Sequence, residues 1–218
     1  MEKFNQYFQS NSSYDKHVIL NKKSLNNKAL KPAIFLDRDG VIIKDMHYIR
    51  DSKDVELLQG IKKLLLISHE LGWLNIVITN QSGIARGLFK WQDYEKVTFK
   101  MIEMLGTTFL IDAIYANSLE PCDNLPKDSW RKPNPNMLMQ ASFDFDINLK
   151  DSILIGDRLT DLLAGHNAGL QKFVHVLTGH GVEEKKYIKE KFLNNYENNS
   201  VYFVDNLLNF PFNELLMI

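Results

Sequence analysis

Two aspartates flank a single arginine in Asp37-Arg38-Asp39-Gly40, directly after a short apolar run. Like charges packed this closely raise a carboxyl pKa and cost stability unless something cationic sits between them. A divalent cation answers that demand, and hard oxygen ligands in a water-accessible cleft suit Mg²⁺ rather than zinc. Asp157, in Gly156-Asp157-Arg158-Leu159-Thr160-Asp161, adds a third carboxylate if the strands before the two segments are neighbours. Taken alone, either segment reads more safely as a solvated turn or a helix cap. Their companions change the balance. Thr79 offers a hydroxyl and loop amides, and Lys132, in Arg131-Lys132-Pro133, offers a compact cation before a proline-started helix, so that together they make an anion clamp opposite the carboxylates. A carboxylate nucleophile, a neighbouring acid, a magnesium ion, a hydroxyl donor and a lysine are what phosphoryl transfer through an aspartyl-phosphate requires.

These residues need elements to hold them. Ala33 to Leu36, led in by Pro32, reads as a buried strand, and Leu74 to Thr79, Ile111 to Ala116, Ser152 to Ile155 and Phe173 to Leu177 follow the same plan. Between them, Leu57, Ile61, Leu64, Leu65 and Leu71 form one helical pattern, and Tyr94, Val97, Phe99, Met101, Ile102 and Leu105 form the next. Pro135 to Phe143 and Leu159 to Ala168 supply two more helices. Strand alternating with helix implies right-handed parallel crossovers, hence an α/β fold with a doubly wound, Rossmann-like parallel sheet and helices on both faces. In such sheets ligands sit at the carboxyl ends of the strands, where Asp37, Asp39, Thr79 and Asp157 fall. Residues 1–31 are expected as a polar N-terminal extension, 32–182 as the core, and 183–218 as a C-terminal helix and strand completing the same domain.

The chain has 218 residues, with 26 Lys plus Arg against 27 Asp plus Glu. Balanced charge gives no bulk attraction to nucleic acid or anionic membrane, so an anionic ligand must be caught locally. The polar first thirty residues lack a signal-peptide core, and no apolar run reaches the length of a membrane span, so a cytoplasmic location is expected. Cys122, the single cysteine, can form no intramolecular disulfide and is expected to be inert.

The segments Phe35-Leu36-Asp37-Arg38-Asp39-Gly40, Thr79-Asn80-Gln81-Ser82-Gly83-Ile84-Ala85-Arg86-Gly87, Arg131-Lys132-Pro133 and Gly156-Asp157 with Asp161 resemble, in order and placement, the four motifs of haloacid dehalogenase (HAD) superfamily phosphatases. Within that superfamily they look like the branch that holds D-glycero-D-manno-heptose 1,7-bisphosphate phosphatase and the histidinol-phosphate phosphatase domain. The resemblance spans about Pro32 to His180. It implies that Asp37 attacks phosphorus and binds Mg²⁺. Asp39 would protonate the leaving oxygen and then activate water, its carbonyl also touching the metal. Thr79 and Lys132 would hold the transferring phosphoryl group, Asp157 would complete the metal site, and Asp161 would orient Lys132 or a nearby water. Substrate contacts are implied for Asp45, His47 and Tyr48 of a flap segment, for Asn80, Gln81 and Ser82, and for Arg86, Arg131 and Arg158. Arg158 stands where a lysine is more usual in the heptose enzymes.

The stretches between these motifs are used up by a helix and a strand each, leaving no room for a large cap domain. Many members of the branch carry a Cys/His zinc loop before the Arg-Lys motif. Here that stretch reads Asn117-Ser118-Leu119 and Asp128-Ser129-Trp130, so no structural zinc is expected, and Trp130 is a candidate to hold the loop by packing. The resemblance thus implies a Mg²⁺-dependent phosphatase acting on a small-molecule sugar phosphate, a heptose 1,7-bisphosphate above all, in surface polysaccharide precursor synthesis. Histidinol phosphate is the nearest rival substrate. A nucleic-acid 3′-phosphatase lacks the basic stripe that role needs, and a non-catalytic binding protein would have no use for the assembled carboxylates. Neither nucleic acid nor membrane is expected as a partner, and a monomer or small homo-oligomer is.

Overall fold

The computed structural model describes residues 4–10, 15–25, 29–106, 110–196 and 198–216. Phe109, which the sequence assigns to core or interface, lies outside them. The strands are β1 (Phe4–Ser10), β2 (Asp15–Asn21), β3 (Ala33–Leu36), β4 (Leu74–Asn80), β5 (Ala113–Asn117), β6 (Ile153–Gly156), β7 (Lys172–Val176) and β8 (Ser200–Val204). The α-helices are α1 (Lys22–Leu25), α2 (Ile61–Glu70), α3 (Ser82–Ala85), α4 (Trp91–Leu105), α5 (Asn136–Phe145), α6 (Leu159–Asn167), α7 (Gly181–Asn195) and α8 (Phe212–Leu215).

All eight strands form one sheet in the order β1-β2-β5-β4-β3-β6-β7-β8. From β5 to β8 every neighbouring pair is parallel. Alternation along the central strands divides the core into two layers. Ile34 and Leu36 of β3 face Leu64 and Leu65 of α2 and Val97 and Met101 of α4, in one buried cluster. Ala33 and Phe35 face Leu138 and Ala141 of α5, Leu162 of α6 and Ile188 of α7, in another. Trp73 and Phe99 pack partly buried against the first cluster. Helices therefore cover both faces, as the apolar runs predict for strands buried on two sides.

The chain builds β3, β4 and β5 outward in one direction, then returns across β3 to place β6 on its other side. A crevice opens at such a reversal, beyond the carboxyl ends of the two strands. In register, Leu36 lies beside Ile155, and the Asp37 amide donates to the Ile155 carbonyl at 3.1 Å. Asp37 and Asp157 therefore emerge side by side. Between β3 and β4, and between β4 and β5, the described residues hold only loops, short helical turns, α2, α3 and α4, with no cap domain over the sheet edge.

The N-terminal strands are the feature that sequence patterning did not foresee. β2 pairs antiparallel with β5, and β1 with β2, so a segment read as a polar extension lengthens the sheet. Its one apolar run of three residues is Val18-Ile19-Leu20, all buried. The polar residues around that run find partners in the sheet. The Asn21 amide donates to the Asp112 carbonyl at 2.9 Å, and the Ser24 hydroxyl donates to the Asp112 carboxylate at 2.5 Å.

A buried asparagine fixes the far end of β4. Asn75 is fully buried, donates its amide to the carbonyls of Leu65 (3.2 Å) and Leu110 (2.9 Å), and accepts from the Ser68 hydroxyl at 2.7 Å. Removing one partner from a satisfied buried network leaves the others without bonds. Asn75→Ala is expected to lower the unfolding free energy by about 2 kcal/mol in a urea titration, with activity at low temperature retained. A loss below about 0.5 kcal/mol would mean that these bonds do not hold the strand.

Candidate active site

The Lys132 ammonium is the hub of the cleft. It lies 2.9 Å from Asp37 Oδ1, 2.7 Å from Asp161 Oδ1 and 3.0 Å from the Ile78 carbonyl, and its side chain is only 2% exposed. The loop bearing it is held by β4: Asn80 Oδ1 accepts from the Lys132 amide at 3.1 Å and from the Asn117 side chain at 2.9 Å. The side chain of Asn80, a residue implied as a substrate contact, is thus engaged with that loop. The Lys132–Pro133 peptide bond is cis. Burial alone would lower the lysine pKa, but the carboxylates of Asp161 and Asp37 win and raise it, so the ammonium stays charged.

Asp37, Asp157 and Asp161 each present a carboxylate oxygen within 4.8 Å of the others, all three buried. Asp157 Oδ2 accepts from the His180 amide at 2.8 Å, while its Oδ1 is buried without a hydrogen-bond partner. Gly40 (φ 83°) and Gly179 (φ 56°) close around this carboxylate, and a Cβ on either would collide with it. Burial first, then repulsion from neighbouring carboxylates, pushes the Asp37 pKa up to about 7 and the Asp157 pKa up to about 9. An orphaned buried oxygen among three crowded carboxylates, with one lysine to offset them, is a donor set that fits a hard divalent cation.

Asp39 lies just outside this centre, and its carboxylate is gripped by Arg38. The guanidinium donates to both oxygens at 3.1 Å, and Gln81 Nε2 donates to Oδ2 at 3.0 Å. The same Gln81 amide lies 2.8 Å from Thr79 Oγ1, which ties the threonine hydroxyl to the second aspartate. Arg38 is itself buried, bonded to Thr98 Oγ1 at 3.2 Å and Gln81 Oε1 at 3.1 Å, with its guanidinium 5.0 Å from the Tyr94 ring centroid. Sequence reasoning missed Arg38. An arginine between two aspartates looks solvated, and only the packing of α4 buries it.

Most of the remaining predicted residues line the same cleft, which has a volume of about 350 Å³: Asp45, His47, Tyr48, Asn80, Gln81, Ser82, Arg86, Arg131 and Arg158. On its far wall Arg86 donates to Tyr48 Oη at 2.8 Å and pairs with Glu120 at 3.2 Å, and Arg131 donates to the Leu119 carbonyl at 2.7 Å. Burial and then the nearby charges of Arg86 and Arg158 lower the Arg131 pKa, so this wall carries positive charge in excess. His180, which also lines the cleft, was not singled out by sequence. Its only signal is Gly179-His180-Gly181 after the β7 run.

The loop before Arg131 is held without sulfur ligands. Trp130 is buried edge-on against Tyr115, with centroids 5.7 Å apart, and Asn136 donates to the carbonyls of Lys127 and Ser129 at 2.8 Å each. Cys122 is exposed. His175 is buried with Nε2 2.8 Å from the Gly181 carbonyl, and His166 stacks 3.8 Å from the Tyr196 ring. No helix among the described residues is long and apolar enough to cross a membrane.

A parallel α/β sheet whose topological switch point gathers paired aspartates, a buried lysine and a third carboxylate defines a hydrolase that handles phosphate, and comparison with known proteins agrees. Residues 129–209 match the HAD-hydrolase-like family model. The chain is 40% identical over 140 residues to D-glycero-beta-D-manno-heptose-1,7-bisphosphate 7-phosphatase of Helicobacter pylori, covering 62% of this chain and 78% of that one. It is 38% identical over 154 residues to D-glycero-alpha-D-manno-heptose-1,7-bisphosphate 7-phosphatase of Campylobacter jejuni, covering 71% and 84%. The solved structure of D,D-heptose 1,7-bisphosphate phosphatase from B. bronchiseptica, complexed with magnesium and phosphate, superposes with a TM-score of 0.68 at 28% identity, covering 81% of this chain and 93% of that one. The chain belongs to the HAD-like hydrolases, among the phosphatases of the heptose-bisphosphate branch.

The raised carboxyl pKa values make a prediction for the metal-free protein. An unfolded aspartate loses its proton near pH 3.8, whereas folded Asp157 keeps it up to about 9. The folded state thus binds more protons across that window, and stability must fall as pH rises through it. Asp157→Asn removes its part of this loss. In chelator, the variant is expected to gain stability relative to wild type as pH rises from about 5 to about 8, by at most about 1.4 kcal/mol per pH unit. Calorimetric melting of both proteins across that range would show it, and a pH-independent difference would contradict the crowding described here.

Proposed function

We propose that the protein is a Mg²⁺-dependent phosphatase that removes the 7-phosphate of a D-glycero-D-manno-heptose 1,7-bisphosphate through an aspartyl-phosphate, leaving heptose 1-phosphate. The observation that carries this reading is the two-ended charge of a single cleft. One end holds Lys132 among carboxylates that fit a cation, and the other holds Arg86, Arg131 and Arg158, three cations of which Arg86 is paired with Glu120. A molecule with a phosphate at each end satisfies both.

In this reading an Asp37 carboxylate oxygen attacks phosphorus, and the bond from phosphorus to the sugar oxygen breaks. Asp39 supplies the proton that the leaving oxygen needs, then takes one from the water that hydrolyses the aspartyl-phosphate. The pair with Arg38 and the bond from Gln81 aim the Asp39 carboxylate at the cleft and hold it beside Thr79. Lys132 and Thr79 grip the transferring phosphoryl group, and Asp161 fixes the ammonium. Asp37 and Asp157, with the Asp39 carbonyl, would hold Mg²⁺, whose chemical contribution is to neutralise charge on the phosphoryl oxygens. Such an enzyme would work in the cytoplasm, on the supply of activated heptose for a surface polysaccharide.

The named relatives divide between the α and β anomers, so the anomer must be found by assay. Phosphate release with Mg²⁺ should be compared for both anomers of heptose 1,7-bisphosphate, histidinol phosphate, fructose 1,6-bisphosphate and a 3′-phosphorylated oligonucleotide. The expected result is a preference in kcat/KM of about a hundredfold or more for one heptose anomer, or about 2.7 kcal/mol of transition-state discrimination. Asp37→Asn should abolish turnover while leaving the melting curve intact. Equal slow turnover of every compound would refute the heptose assignment, and substantial activity in the variant would refute the aspartyl-phosphate.

A further inference from the structure

A second group of metal-binding side chains stands at the mouth of the cleft, with different chemistry from the buried carboxylates. Asp45 and His47 come from the flap segment after β3, and His180 from the loop between β7 and α7. The His180 Nε2 atom lies 3.0 Å from Asp45 Oδ2, and Asp45 Oδ1 accepts from the His47 amide at 2.9 Å. The two imidazole rings meet edge to face with centroids 5.8 Å apart. One donor atom from each of the three residues lies within 4.8 Å of the others.

We propose that Asp45, His47 and His180 form a site for a borderline divalent ion such as Zn²⁺ or Co²⁺, separate from the carboxylate centre, that ties the flap to the β7–α7 loop across the cleft mouth. Two imidazoles and a carboxylate suit such ions, whereas the all-oxygen centre suits Mg²⁺. Bonds of about 2.0 to 2.2 Å to a common ion place donor atoms about 3.3 Å apart in a tetrahedron. Asp45 and His180 are already within that spacing, and the exposed His47 ring, whose donor atom lies within 4.8 Å of both, is the ligand that would close on them.

The surroundings favour ligation. Glu183 Oε2 lies 3.7 Å from His180 Nδ1, outside hydrogen-bond distance, and a small rotation of this exposed side chain would let it accept from that ring nitrogen. His47 sits at φ 50° and Tyr48 at φ 71°, a left-handed stretch that side chains other than glycine seldom adopt, and it turns the His47 ring toward His180. Three protein ligands leave a further coordination position open, accessible to an oxygen of a molecule in the cleft. Through its amide on Asp157, His180 also joins the two centres mechanically.

The test is a Co²⁺ titration of full-length protein, stripped of transition metals and held in saturating Mg²⁺ so that the oxygen site is filled. A saturable visible absorption corresponding to about one Co²⁺ per chain, displaced by Zn²⁺, is expected. His180→Gln and His47→Gly should each weaken Co²⁺ binding about tenfold or more, the latter without strain because glycine favours that backbone conformation. Asp157→Asn should keep the signal. Melting curves recorded beside each titration show that the variants are folded. Absence of a saturable spectrum would overturn the proposal, as would a signal that both histidine variants retain or one that Asp157→Asn alone abolishes.

Discussion

The lysine at the centre of the cleft governs the rest of the molecule. A buried ammonium is tolerated only with close, well-aligned anionic partners, and Lys132 has Asp37 and Asp161 within 3 Å. Those partners create the opposite difficulty, because with Asp157 they bring three carboxylates to one cation. The fold accepts that strain where the strand order reverses, between the ends of β3 and β6, with backbone amides to aim at them. Much of the surrounding structure serves to hold this arrangement: Asn80 clamps the lysine loop, the His180 amide caps Asp157, and glycines 40 and 179 let the backbone close over it.

A second layer of order keeps the two neighbouring aspartates from behaving alike. Asp37, largely buried, faces the lysine, while Asp39, two residues on, is turned to Arg38 and Gln81 beside Thr79. One sequence motif thus yields one carboxylate in the anionic centre and one beside it, each with its own partners. That separation lets two carboxylates of one motif take different tasks, because each is held by a different set of partners. The arginine wall across the cleft supplies the remaining asymmetry, giving a phosphorylated ligand two attractive ends and so a direction.

Much of this was legible in the chain. Asp37, Thr79, Lys132 and Asp157 could be read because each closes an apolar run or opens a helix, and parallel topology forces such positions to one edge. Adjacency of β3 and β6 was the only condition left open, and the fold meets it. What could not be read depends on distant packing. Arg38 becomes a buried partner of Asp39 only because Tyr94 and Thr98 of α4 cover it. Asn80 looked available to a ligand because nothing local shows that Lys132 and Asn117 occupy its amide. The β1–β2 hairpin stayed hidden because one run of three apolar residues and the irregularly spaced Phe4, Tyr7 and Phe8 set no strand period in a polar stretch, and the partner β5 lies about a hundred positions away.

The central claim is that the carboxylates around Lys132 carry a charge deficit that a hard divalent cation relieves. It can be measured without any substrate, by calorimetric titration of the transition-metal-free protein with Mg²⁺ near pH 7 in two buffers of different ionisation enthalpy. The account predicts saturable binding with release of protons as Asp37 and Asp157 ionise, and a smaller release in Asp157→Asn, where only Asp37 is left to ionise. Binding with no difference between the buffers, or no binding at all, would contradict it.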